Sequence, residues 1–93
     1  MHLMGTVASC KEGGAITRVR VQTANLEGAD DYGPTDLLAH TYSVVFENVP
    51  TGGEKAEAYV TCTDFSGADH TYGNEITINR PLVGDIVLTD LAP

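Results

Sequence analysis

The chain has 93 residues, 42% of them apolar, which suffices for one domain with one modest core and leaves nothing for a second. Thirteen Asp and Glu against five Lys and Arg set a net charge of −8, which opposes contact with phosphate backbones or anionic lipid and argues against nucleic acid or membrane as partners. Apolar runs such as Ile86 to Leu88 are a strand's worth, far short of the roughly 18 residues that a membrane-spanning helix needs, so no insertion is expected. No basic segment followed by an apolar run opens the chain, so no secretory leader is expected either.

Residues 3–10 read as a first strand, and the Gly13-Gly14 pair turns the chain into a second, 15–23, where Val19, Val21 and Thr23 face one way and Arg18, Arg20 and Gln22 the other. From 24 to 40 this period disappears. That length is long for a bare loop, and Pro34 to Leu38 predicts one helical turn capped by Thr35 or Asp36, with a short edge strand in the remainder. Alternation resumes at 42–49, with Tyr42, Val44 and Phe46 inward, and Pro50 to Gly53 ends it. The clearest strand is 56–63: Ala56, Ala58, Val60 and Cys62 are small and apolar, whereas Glu57, Tyr59, Thr61 and Thr63 tolerate water. Asp64 to Gly67 forms a tight turn in which the Asp64 carboxylate is expected to bond backbone N–H groups. A strand at 72–78 follows and stops at Arg80-Pro81, because proline cannot donate to a ladder. Residues 83–89 are a last candidate, so 81–93 is expected to be an edge strand or a docking arm.

Short strands at spacings near ten residues, divided by Gly and Pro turns, predict an all-β fold, an antiparallel β-sandwich of about seven strands in a single domain over 1–93. The segments Gly5 to Val7, Ile16 to Val21, Thr41 to Val45, Ala58 to Gly67 and Ile76 to Ile78 resemble bacterial and phage immunoglobulin-like domains of the Big and fibronectin-III-like types, over about 75 residues. In those domains a Thr-Asp-x-x-Gly-Asn turn often joins the last two strands. Here Thr63, Asp64 and Gly67 match it, Ala68 stands where Asn is usual, and the core Trp is absent. A second likeness, to carboxypeptidase-regulatory-like domains, rests on Gly5 to Val7, Gly14 to Ile16 and Tyr42 to Pro50. Either resemblance implies a non-enzymatic structural or binding module.

Chemistry-bearing residues fit that implication. His2, His40 and His70 are scattered and neither Cys lies in a C-x-x-C spacing, so no metal is expected; Asp30, Asp31 and Asp36 crowd one loop without a calcium-loop spacing and read as a solvated acidic segment. No catalytic or cofactor fingerprint occurs, and a sandwich of this size rarely walls off a reaction pocket, so neither an enzyme nor a cofactor is expected. Cys10 and Cys62 leave two readings open. They form a disulfide closing a loop of about fifty residues, worth about 4 kcal/mol, or they are separate thiols, since strand parity turns Cys10 away from Leu3 and Val7.

Tyr32, Tyr59, Phe65 and Tyr72 are the candidate exposed aromatics, because interface cores favour such rings. Tyr59 is expected to pack across strands near Arg18 or Arg20, while Phe65 at its turn tip is either tucked under the sandwich or facing a partner. Phe65, Tyr32, Tyr72, Ile86 and Leu88 are therefore the expected partner-binding residues, and the partner is a protein or a larger homo- or hetero-assembly. The expected role is an accessory or decoration domain on a virion or at a cell surface. A small acidic inhibitor is the alternative: it would block a basic groove by gathering Glu27, Asp30, Asp31 and Asp36 on one face.

Overall fold

The computed structural model describes residues 1–11, 13–79 and 86–91, with the backbone alone described at 34, 35 and 86–88. In chain order the elements are β1 (His2–Thr6), β2 (Ala15–Thr23), β3 (Gly28–Asp31), α1 (Pro34–Leu38), β4 (Thr41–Val45), β5 (Glu54–Thr63), β6 (Asp69–Ile78) and β7 (Ile86–Leu88). They form two sheets, β4-β1-β7 and β3-β2-β5-β6. The chain is therefore all-β apart from α1, and its two layers enclose one core, compatible with a sandwich.

The core is drawn from alternate positions of both sheets: Leu3, Tyr42, Val44 and Phe46 from one layer, Val19, Val21, Ala56, Ala58, Val60, Cys62 and Ile78 from the other. Four small residues on β5 let the sheets approach while Phe46 and Tyr42 fill the space opposite. One irregularity makes the alternation work. Ile16 and Val19 are both buried although they sit three apart, because the β2 to β5 register shifts between Ile16 and Arg18 and the extra residue, Thr17, bulges outward.

Several expectations need correction. The first strand ends at Thr6 rather than residue 10, with Val7 in an isolated bridge to Leu91, so the parity that turned Cys10 outward does not reach it. The Cys10 and Cys62 sulfurs are bonded, and their Cα atoms lie 6.2 Å apart. The layer β4-β1-β7 is mixed, because β7 pairs parallel to β1 while β4 pairs antiparallel. Parallel neighbours need a long crossover, and here the rest of the domain lies between them in sequence. The helical turn begins at Pro34 and its first hydrogen bond runs from Leu37 N to Gly33 O, so neither Thr35 nor Asp36 is the cap; proline at a first helical position gives up an N–H that would be unpaired anyway.

Gly5 is where β7's continuation comes closest: a Cβ there would overlap the Thr89 carbonyl. That carbonyl also accepts the Tyr42 hydroxyl hydrogen bond, and burial pushes the Tyr42 phenol well above its ordinary pKa.

Acidic side chains close the free side of β4. Ser43 N donates to Asp31 Oδ2 at 2.9 Å, and Glu47 N and Asn48 N donate to the Glu27 carboxylate at 2.9 and 3.1 Å. Asp31 Oδ1 also accepts from Gly33 N at 2.7 Å, ordering the entry to α1. The bonds to Ser43, Glu47 and Asn48 run from β3 and the connection before it to β4 and the residues just after it.

Candidate docking site

The first connection (residues 7–14), the segment from Tyr32 to His40 and the β5 to β6 turn all lie at one end of the two layers. Strand register requires this: Thr6 faces Thr41, Ala15 faces Thr63, and Thr63 faces Asp69. Val7 N donating to His40 O at 2.8 Å ties the first two together. The disulfide ties the first to β5. A Cβ at Gly14, whose φ is +86°, would overlap the Thr63 carbonyl, so only glycine lets the first connection lie against the β5 to β6 turn.

That turn is held by one carboxylate. Asp64 Oδ1 accepts from Ser66 Oγ, Ser66 N and Ala68 N at 2.6, 2.9 and 3.0 Å, and Oδ2 lies 2.8 Å from His70 Nε2. These donors, the Ser66 hydroxyl foremost, hold the Asp64 carboxyl well below the usual carboxylate range. The turn so fixed carries Phe65, which is 93% exposed. Its ring stands beside the glycine turn, where a Cβ at Gly13 would lie 3.1 Å from Phe65 Cε2.

Beside the glycine turn lies a groove of about 440 Å³ lined by Gly14, Ala15, Ile16, Tyr32, Leu37 and Leu38, together with Thr17 and His40. Leu38 is 85% exposed and Tyr32 60%. Tyr32 is steadied by the Arg18 guanidinium, 5.3 Å from its ring centre, and Arg18 is itself gripped by Asp30 through Nε at 2.9 Å and Nη2 at 2.8 Å. Arg20 Nη1 bonds the other Asp30 oxygen at 2.7 Å. Leu38 and Tyr32 thus border one apolar groove, and Phe65 stands on the neighbouring turn at the same end of the layers, on connections that the strands, a disulfide and charged hydrogen bonds tie together.

Not every expected residue joins them. Tyr72 sits on the inner face of β6, opposite buried Val60, half-buried with Lys11 Nζ 5.9 Å from its ring centre, and is not a surface aromatic. Ile86 and Leu88 fall in β7, where their side chains are outside the described residues. Tyr59 pairs directly with Arg20 on the outer face and its ring covers Gly73. Sequence reasoning missed Leu38, since a second leucine in a helical turn reads as core, and the turn's direction decides which of Leu37 and Leu38 is buried.

Among the described residues no three His, Cys, Asp or Glu side chains are placed to share a metal ion, and no helix is long and apolar enough to cross a membrane. Comparison of the chain with protein-family models, with curated proteins and with solved structures finds no match.

Proposed function

We propose that the chain is a non-enzymatic binding module, an immunoglobulin-like sandwich that docks on a larger assembly, a virion or a cell-surface array, through the end bearing Phe65, Tyr32 and Leu38. The observation that carries this reading is three large, mostly apolar side chains exposed at one end of the layers, Tyr32 and Leu38 on a groove and Phe65 on the turn beside it. Contiguous exposed apolar surface disfavours solubility and marks interaction sites, and binding residues favour connections positioned by a stable scaffold. The immunoglobulin-like part of the proposal draws support from the three-plus-four division of strands and from the parallel pairing of the first and last of them.

The acidic residues favour docking over charge mimicry. Asp30 is neutralised by Arg18 and Arg20, while Asp31 and Glu27 are spent on backbone N–H groups, so three of the four acids that mimicry needs are turned inward to the fold. The test is co-sedimentation with the source's particles or envelopes, comparing wild type with Phe65→Ala and Leu38→Ala. Loss of association with unchanged circular dichroism supports the reading, and retention by both variants refutes it.

A further inference from the structure

Among the described residues, three of the four sheet edges are defended against additional strands. β3 has four residues and β7 three, too short to template a ladder, and β4 has its Ser43 amide taken by Asp31, with the Glu47 and Asn48 amides just beyond it taken by Glu27. β6 differs. It is the last strand of its sheet, ten residues long, in unbroken register with β5 from Asp69 to Ile78, and it contains neither Pro nor Lys nor a bulge. A long regular edge of this kind is a template for another strand.

We propose that β6 pairs antiparallel with β6 of a second copy of this chain, about a two-fold axis through Asn74, joining two four-stranded sheets into one. The sequence of the strand selects this occupant and this axis. In such a pair residues equidistant from Asn74 face each other, so Thr71 faces Thr77, Tyr72 faces Ile76, Gly73 faces Glu75 and Asp69 faces Asn79. Both acids then meet neutral partners, and β-branched and aromatic side chains meet one another, the pairings that stabilise sheets. An axis at Tyr72 would set Asp69 against Glu75, and one at Glu75 would set that carboxylate against itself. Lys55 Nζ, 3.9 Å from Glu75 Oε1, offsets the nearest remaining like charge. The pairing extends the half-buried row containing Tyr72 and Ile76 across the axis, and an isologous contact closes after two copies. With −8 on each chain, long-range repulsion opposes the dimer and salt relieves it. This inference is independent of the docking reading.

Sedimentation equilibrium of the full chain at low and high salt tests it, with Thr71→Lys/Thr77→Lys as the variant. Both positions are exposed in the single chain and face each other across the axis, so the variant places like charges opposite one another twice. Wild type is expected to form dimers and nothing larger, more tightly at high salt; the variant, with unchanged circular dichroism, should dissociate about tenfold more readily or more. Wild type that stays monomeric at high concentration, a variant that dimerises equally well, or a chain that takes up only a foreign extended peptide along β6 overturns the proposal. Amide exchange of wild type alone gives a second readout that does not depend on the variant folding. Protection within 71–77 must grow with protein concentration, and protection that does not change overturns the proposal as well.

Discussion

The Asp31 carboxylate on β3 accepts a hydrogen bond from the Ser43 amide on β4 at 2.9 Å, so an acid from one sheet closes the edge of the other. Asp31 is buried and also serves Gly33 N, so Asp31→Ala strands two backbone donors at once. The expected loss is about 2 to 3 kcal/mol, read as a lower midpoint in urea unfolding with an unchanged slope.

Asp36 is expected to act in the opposite sense. Its carboxyl shares a hydrogen bond with Asp31 and feels that residue's charge, and both raise its pKa above the ordinary 3.8. An acid whose folded-state pKa is raised destabilises the fold when ionised: the penalty is fully present above the folded value and disappears as pH falls below the unfolded one. Asp36→Asn keeps a donor for Asp31 without the charge. Thermal unfolding should therefore show the variant melting above wild type at pH 7, with the two curves converging in acid.

Asp64 and Asp90 supply the reverse dependence. The Ser66 hydroxyl lowers the first and the Thr6 amide the second, so each contributes stability that is present above 3.8 and is lost as pH falls through its folded value. Asp64→Asn should melt below wild type at pH 7 and lose that difference in acid, which a pH series of melting temperatures will read. A constant offset at every pH would mean that the turn is held by packing and not by the carboxylate.

Reduction of the disulfide from Cys10 to Cys62 frees a span of 52 residues in the unfolded chain, which chain entropy values at about 4 kcal/mol. That is a large share of the stability of a domain this small. Unfolding with and without reductant, and of Cys10→Ser/Cys62→Ser, should show matching losses near that figure.

Most of the layered core was legible from alternation alone. The inward sets on β4 and β5, namely Tyr42, Val44, Ala56, Ala58, Val60 and Cys62, follow strand parity because nothing interrupts those strands. Parity misleads where the chain breaks register. The bulge at Thr17 and the end of β1 at Thr6 decide where Ile16 and Cys10 face, and a bulge leaves no mark in a run of β-formers. Parallel pairing of β7 with β1 was illegible for another reason, since short strands carry no signal of direction and only the crossover sets it.

The docking end was half legible. Tyr32 and Phe65 announce themselves as rings beside turn residues, but only the positioned Asp64 turn and the glycine turn show that Phe65 is held in solvent and not tucked. Phe65→Ala removes no buried contact, so its stability should stay within about 0.5 kcal/mol of wild type while association is lost.

Photo-crosslinking within the native particle or cell, from a benzophenone amino acid at position 65 or 38 and from one at Leu26, reports most directly on the docking end. Leu26 is 81% exposed and lies at the far end of β2, so it controls for exposure alone. Positions 65 and 38 should give the same discrete adduct, displaced by excess wild-type chain, with none from 26. Equal adducts from all three positions, or none from 65 and 38, would contradict the account.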